Sequence, residues 1–185
     1  EVEEDGDRAR LGEIVHRVLK DFLTPYVGRP IHAEMLDAET LGQVDSTSTW
    51  TGNDKDEVTV RSYRLTASGT WDDLGVPYHF TADFASIGAA KVTLRPGVKI
   101  IMPPEGAFTI GGDVAALIAD GTAQKPIVFT GETQTRGAWE GLLFDNSNNG
   151  DNLLRYVTVE YAGNTSSDSK AAGVILGADS SGVQV

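Results

Sequence analysis

The chain of 185 residues contains no cysteine, which excludes a disulfide framework and thiolate chemistry. Basic residues are scarce, since 15 lysines and arginines stand against 27 aspartates and glutamates and give a formal net charge of −12. A protein that neutralises phosphates needs a basic face, so this balance argues against nucleic acid or an anionic membrane surface as the partner. No apolar run comes near the roughly 20 residues of a membrane span, and we therefore expect no membrane insertion.

The chain does contain enough apolar material for one domain with a sizeable core. Hydrophobic residues make up 40% of it and charged residues 23%, as in soluble globular proteins. The chain begins at Glu1 without an initiator methionine, and its last residues, from Gly182 onward, read as a strand with no turn after it. We interpret the chain as a piece of a longer protein, truncated at its C-terminus.

The first 27 residues differ in pattern from all the others. Between Ala9 and Leu23, apolar residues recur at three- and four-residue steps, which predicts an amphipathic helix of about four turns ended by Pro25. We expect residues 1–27 to cap the open end of a β-structure formed by residues 28–185. The alternative is a helix that binds a partner. The side chains expected to face the capped end are Leu11, Val15, Val18 and Phe22.

Residues 28–185 read as short strands separated by glycine, proline, asparagine or aspartate. Ile127, Leu154 and Val183 recur at nearly equal intervals, and Leu142 and Val174 are separated by a similar one. Intervals of about this length correspond to one turn of a three-sided solenoid. A β-sandwich is the rival architecture, but Asn149-Gly150 is the one strong hairpin signal. The expected inward ladder residues are Ile127, Phe129, Leu142, Phe144, Leu154, Tyr156 or Val157, Val159 and Val174.

From about residue 65 onward, several motifs follow one another in a fixed order. They are Trp71 with Pro77-Tyr78, Leu94-x-Pro96-Gly97-Val98, Pro126 to Gly131, Gly137-x-Trp139-x-Gly141-Leu142-x-Phe144, and Leu154 to Gly163. This order resembles the pectate-lyase-like, right-handed parallel β-helix segments of surface or secreted proteins of bacteria and haloarchaea. The resemblance implies an all-β, right-handed parallel β-helix in an extracellular or cell-surface setting. It implies no reaction.

Catalytic constellations of β-helix enzymes are not evident in the sequence. Acid and base catalysis on a polysaccharide needs clustered carboxylates, and the pair Asp72-Asp73 reads as a solvated turn. A lyase would need a basic residue beside an acidic cluster, which the sequence does not indicate for Lys91, Arg95 or Arg155. The three histidines, His16, His32 and His79, have no metal-ligand spacing. His16 and His79 are interpreted as surface or packing residues.

The most ligand-like segment runs from Asp145 to Asp151. Oxygen-bearing side chains alternate there and a glycine stands sixth, as in calcium loops. The twelfth position is Tyr156 instead of a bidentate glutamate, so a plain Asn/Asp-rich turn is the alternative. No other cofactor is expected. The candidate calcium ligands are Asp145, Ser147, Asn149 and Asp151.

Three aromatic residues, Trp139, Tyr156 and Tyr161, are candidates for a platform that binds a glycan or another partner. The alternative is that Trp139 packs over a coil and the tyrosines continue a ladder. Strand alternation predicts that Tyr156 shares the face of Leu154, whereas Tyr161 shares the face of Val157 and Val159.

These patterns lead to two hypotheses about function. The first is a non-catalytic structural or adhesion module, extracellular or at the cell surface, which pairs with its own copies through an uncapped solenoid end. The second is a carbohydrate-binding or polysaccharide-degrading β-helix whose active residues lie partly outside this chain. Outward carboxylates clustered with arginine or lysine on one face would favour the second hypothesis, and scattered charge would favour the first.

Overall fold

The computed structural model describes residues 44, 46–61, 64–81, 84–164, 172–178, 180 and 182–185. The predicted helix within residues 1–27 lies outside the described residues, together with its cap side chains Leu11, Val15, Val18 and Phe22. Within the described part the regular secondary structure consists of 14 short β-strands and no helix. In the same part of the chain there is accordingly no helix of the length and apolarity needed to cross a membrane.

The strands are short, two to five residues each. Their bounds are β1 (Val58–Val60), β2 (Arg64–Leu65), β3 (Gly69–Trp71), β4 (Tyr78–Phe80), β5 (Phe84–Ile87), β6 (Lys91–Leu94), β7 (Lys99–Met102), β8 (Ala107–Gly111), β9 (Ala116–Asp120), β10 (Ile127–Gly131), β11 (Gly141–Asp145), β12 (Leu153–Arg155), β13 (Val157–Val159) and β14 (Val174–Leu176).

Successive strands join three sheets in turn. Sheet A has the order β1-β4-β7-β10-β13, sheet B the order β14-β11-β8-β5-β2 and sheet C the order β12-β9-β6-β3. Every third strand is therefore a neighbour, and all these pairs are parallel. This all-β arrangement is consistent with a β-solenoid, and the β-sandwich alternative is wrong because hairpins make antiparallel pairs. We number the coils by their strands: coil 1 is β1–β3, coil 2 β4–β6, coil 3 β7–β9, coil 4 β10–β12, and coil 5 β13 and β14.

The length of a coil changes along the chain. The register partners Val58 and Tyr78 in the first coils are closer in sequence than Ile127 and Val157 in the last coils. The predicted stacking of Leu142 and Val174 is confirmed. The predicted stacking of Ile127 on Leu154 is wrong, because Leu154 belongs to sheet C, where it pairs with Ala119. Coil 4 contains more residues than the segment from Ile127 to Leu154, so Leu154 lies on a different side of the coil from Ile127.

The core lies inside the three sheets. Trp71 stacks on Tyr78 with ring centroids 5.3 Å apart. Phe108 meets Phe80 and Phe129 edge to face, at 5.7 and 5.6 Å, a geometry that aromatic pairs favour. The predicted ladder residues that are buried are Ile127, Phe129, Leu142, Phe144 and Leu154. Those in coil 5 pack against the core but remain partly exposed: Val157, Val159 and Val174.

The alternation predicted for Tyr156 is wrong. Leu154 is 6% exposed, whereas Tyr156 is 56% exposed. Tyr156 is the single residue between β12 and β13 and has a φ of 50°. A left-handed residue turns the chain at the corner between sheets C and A, so the two-residue alternation of a continuous strand does not carry across it.

Candidate functional site

The predicted aromatic platform is not assembled from its three members. Trp139 is fully buried, and its Nε1 donates a hydrogen bond to the backbone oxygen of Glu160 at 2.9 Å. A buried tryptophan ring has no free face for a sugar, because stacking requires an exposed π-surface. Trp139 is therefore a packing residue, in agreement with the alternative interpretation that it packs over a coil.

Tyr156 and Tyr161 lie at opposite ends of β13. Both have positive φ, 50° and 61°. The carbonyl oxygen of Tyr156 accepts a hydrogen bond from the amide of Ile127 at 3.0 Å, and that of Tyr161 accepts one from Ala138 at 2.8 Å. Both residues thus lie at corners of the chain, and their backbone carbonyls are hydrogen-bonded to the preceding coil. Tyr156 is the more exposed of the two, and glycan binding by either ring stays a prediction.

The candidate calcium ligands are engaged with groups of the protein itself. Asp151 makes an ion pair with Lys91, and Asn149 Oδ1 accepts the amide of Asp151 at 3.0 Å. Ser147 is fully buried, and Asp145 Oδ1 accepts the side-chain amide of Asn146 at 3.1 Å. Calcium needs six to eight oxygen ligands, and each of these four side chains contacts a protein group in this conformation. Calcium binding stays a prediction.

The same loop contains a buried polar residue that the sequence reasoning missed. Asn152 is fully buried, and its Oδ1 accepts the amide of Leu117 at 2.9 Å. Its Nδ2 donates to Ser147 Oγ at 2.8 Å and to the backbone oxygen of Asn149 at 3.0 Å. Because every buried polar atom needs a partner, Asn152 joins the coil 4 corner to coil 3. An asparagine placed directly before a strand, at the end of a polar loop, is the only local signal of this role.

Charged residues along sheet C form a ladder of alternating sign. Arg155 is opposite Asp120 in the register, and Nε and one terminal nitrogen each lie 2.6 Å from an Asp120 oxygen. Hydrogen bonding from Arg155 lowers the pKa of Asp120. Two coils earlier, Arg95 Nε lies 3.9 Å from Asp72. The basic residues named for a lyase site, Lys91, Arg95 and Arg155, thus each make an ion pair with an aspartate.

The Asp72-Asp73 turn is also more structured than a solvated turn. The backbone oxygen of Asp72 accepts a hydrogen bond from the Tyr78 hydroxyl at 3.0 Å, and burial raises the pKa of Tyr78. Asp73 Oδ2 lies 3.0 Å from Lys125 Nζ. The pair therefore holds the corner between sheets C and A, with no vacant carboxylate pair of the kind a hydrolase uses.

His79 lies at the centre of a cluster on the outer face of sheet A that the sequence did not predict. Its side chain is 11% exposed. Nδ1 lies 2.8 Å from Glu57 Oε2, and Nε2 lies 2.5 Å from Glu132 Oε1. Glu57 precedes β1 and Glu132 follows β10, so the cluster reaches from coil 1 to coil 4. We call these three residues the histidine clamp.

The histidine clamp is closed to added ligands. Each ring nitrogen of His79 has a carboxylate oxygen within hydrogen-bond distance. The two nitrogens face opposite directions and each contacts a carboxylate, so neither is vacant for a metal ion in this conformation. Within the described ranges, no three acidic, histidine or cysteine side chains form a group that could hold a metal ion.

Comparison of the chain with protein-family models, with curated proteins and with solved structures found no match. The β-solenoid arrangement therefore rests on the strand pairing itself. A fold of this kind is compatible with many functions, and function has to be argued from its side chains.

Proposed function

We propose that this protein is a non-catalytic structural or adhesion module, a β-solenoid secreted or displayed at the cell surface. The supporting observation is the state of its charged side chains. Acid, base or metal chemistry would require free charged groups. In the histidine clamp and in the pairs Asp120–Arg155 and Lys91–Asp151, these groups bind one another instead. Such pairing stabilises the contact between coils around a continuous apolar interior.

The proposal includes finer features of the fold. A right-handed solenoid is supported by the general preference of connections between parallel strands of one sheet, about 98% of which are right-handed. A pectate-lyase-like fold is supported by the order of the motifs from Trp71 to Gly163. The helix predicted between Ala9 and Leu23 caps one end through Leu11, Val15, Val18 and Phe22. Such a cap would protect unpaired strand edges from aggregation.

We further propose that the solenoid stacks end to end with additional coils or copies. Val157, Val159 and Val174 continue the ladders of Ile127, Phe129 and Leu142, but they are only partly buried. Covering apolar surface stabilises an assembly by about 25 cal/mol per Å². A strand added to β13 or β14 would also complete its backbone hydrogen bonds.

Size-exclusion chromatography with light scattering, at several concentrations and with or without calcium, tests stacking. We expect the mass to grow beyond a monomer with concentration and without any need for calcium. Val159→Lys places a charge on the apolar ladder that stacking would bury and should restore the monomer. The control Thr158→Lys adds the same charge to the exposed face of the same strand and should leave stacking unchanged. A monomer at every concentration would contradict stacking, and growth that requires calcium would support the Asp145–Asp151 loop as an ion site.

Glycan binding is the second candidate function, because one aromatic ring is exposed and held by the backbone. Tyr156 is 56% exposed at a corner fixed by the hydrogen bond from Ile127 to its carbonyl. Affinity electrophoresis through polysaccharide gels should show retardation that Tyr156→Ala reduces. Equal retardation of the wild type and the variant would argue against this ring as a binding platform.

A further inference from the structure

Three ionic contacts in the described part join side chains that lie two coils apart. They are Lys91 with Asp151, Asp73 with Lys125, and His79 with Glu132. In a solenoid, each repeat ordinarily contacts only its immediate neighbours. We call these contacts the three straps, and each of them crosses the position that coil 3 or its entering turn occupies.

The first strap passes over a small residue on sheet C. Lys91 of β6 pairs in register with Ala116 of β9. Leu153 of β12 pairs in register with Ile118 of β9. Asp151 precedes Leu153 by two residues and Ala116 precedes Ile118 by two residues, so Asp151 is opposite Ala116. Lys91 in coil 2 and the segment entering β12 in coil 4 therefore lie on opposite sides of Ala116. A methyl side chain between them leaves space for the lysine to reach Asp151.

The second strap passes over a glycine at the corner between sheets C and A. Asp73, Gly97 and Lys125 precede β4, β7 and β10, the equivalent strands of three successive coils. A Cβ atom on Gly97 would lie 2.4 Å from Asp73 Oδ2, and Gly97 also has a φ of 94°. The backbone conformation thus favours glycine here, and an added Cβ atom would displace the Asp73 carboxylate that forms the strap.

The third strap is one arm of the histidine clamp. His79 of β4 pairs with Ile101 of β7, and Ile101 pairs with Thr130 of β10. Glu132 follows Thr130 by two residues and reaches back across β7 to the ring of His79 at 2.5 Å. The strap therefore joins coil 4 to coil 2 on the outer face of sheet A.

We propose that the three straps couple coils 2, 3 and 4 into one cooperative unit. With contacts between neighbours alone, a terminal coil can open and leave the next one closed. A strap changes this, because opening coil 2 or coil 4 alone breaks contacts with a coil that is not its neighbour. The three straps lie on different sides of the coil, so they resist bending as well as unwinding. This inference is independent of the proposed function.

Hydrogen exchange measured by mass spectrometry on the full chain tests the straps. The strap-free variant combines Lys91→Met, Lys125→Met and Glu132→Ala. The matched control is Arg155→Met, which removes the pair with Asp120 between the neighbouring coils 3 and 4. The readout is exchange in β4 and β5 of coil 2, which make no contact with Arg155 in the strand register.

The strap-free variant should exchange the coil 2 amides about tenfold faster than the wild type, the combined size expected of three ordinary surface pairs. Arg155→Met should change coil 2 exchange by less than about twofold. The proposal is overturned if the strap-free variant leaves coil 2 exchange unchanged. It is equally overturned if Arg155→Met also accelerates coil 2 exchange about tenfold, because the straps would then add nothing beyond an ordinary pair between neighbouring coils.

Discussion

Coil 4 and coil 5 use the same ladder positions but cover them to different extents. Phe129 in coil 4 is fully buried, whereas Val159, its register partner in coil 5, is only partly buried. Phe129 has β7 on one side and β13 on the other, but β13 is the edge of sheet A. The stability that an inward residue provides thus depends on having a coil on each side, since burial of apolar area supplies the free energy.

The early and late coils also differ in what their extra residues do. The register partners Leu142 and Val174 stand much further apart in the sequence than Val58 and Tyr78 do. The strands stay short throughout, so the additional residues of the late coils lie in connections such as Asn146 to Asn152. These connections contain the side chains that resemble ligand sites in the sequence. In the structure they contact coil 3, and Asp151 reaches as far as coil 2.

Phe108→Ala should have the largest effect, because Phe108 is fully buried between Phe80 and Phe129. Removing a core phenylalanine lowers the free energy of unfolding by about 3–5 kcal/mol. The contrasting variant Val159→Ala, on the half-covered ladder of coil 5, should cost about 1 kcal/mol or less. Urea unfolding followed by tryptophan fluorescence gives both values, and similar losses would refute the contrast between inner and edge coils.

Asn152→Ala should come next. It leaves the amide of Leu117 without its buried acceptor, and an unsatisfied buried group costs about 1–3 kcal/mol. The control Asn148→Ala removes an exposed amide that donates to Asp113, so we expect a change within about 0.5 kcal/mol. The same urea titration checks both variants. A negligible loss for Asn152→Ala would mean that water replaces the asparagine at this corner.

Gly141→Ala tests the junction between coils 4 and 5. A Cβ atom at Gly141 would lie 2.7 Å from the backbone oxygen of Gly173, and the φ of 131° is also unfavourable for alanine. We expect a loss of about 1–2 kcal/mol and faster hydrogen exchange in β14 than in β8. Gly150→Ala is the matched control, because nothing lies within 4 Å of its added methyl. Unchanged exchange in β14 would show that the edge coil tolerates the displacement.

The smallest expected effect is a loss of stability at acid pH that comes from Asp120. Arg155 lowers the pKa of Asp120 below its ordinary value of 3.8. The pair therefore adds stability above that ordinary value, and the contribution disappears as the pH falls through the lowered pKa. Thermal midpoints of the wild type and Arg155→Met should differ at pH 5 and converge toward pH 2. A difference that persists at the acid end would assign the effect of Arg155 to packing.

Much of the strand pattern could be predicted, and particular residues show where prediction ended. The alternation near Ile127 and Phe129 correctly placed both inside, because alternation is a local property of an extended chain. It failed at Tyr156, where one left-handed residue turns a corner that the sequence does not announce. No strand was expected over Ala107–Gly111, although β8 pairs with both β5 and β11. There the neighbouring strands decide the conformation.

The candidate site was less predictable than the fold. His79 is bonded to two glutamates that are distant in the sequence, Glu57 and Glu132, and coil length sets which side chains meet. Trp139 was a candidate for an exposed platform, but a tryptophan between glycine-rich turns reads the same way whether it faces outward or inward. In the structure the Trp139 side chain is fully buried, and its backbone bridges to Ala162 of the next coil.

The sequence by itself determined that this chain forms short, one-sided strands with turn residues between them and an acidic surface. Those properties depend on residue type and on spacing within a few residues. Only the tertiary structure decided which strands are neighbours, which corners are left-handed and which charges meet across two coils. Parallel stacking joins residues that are a whole coil apart in the sequence, as Val58 with Tyr78 and Leu153 with Ile118, and the varying coil length is what sets each register.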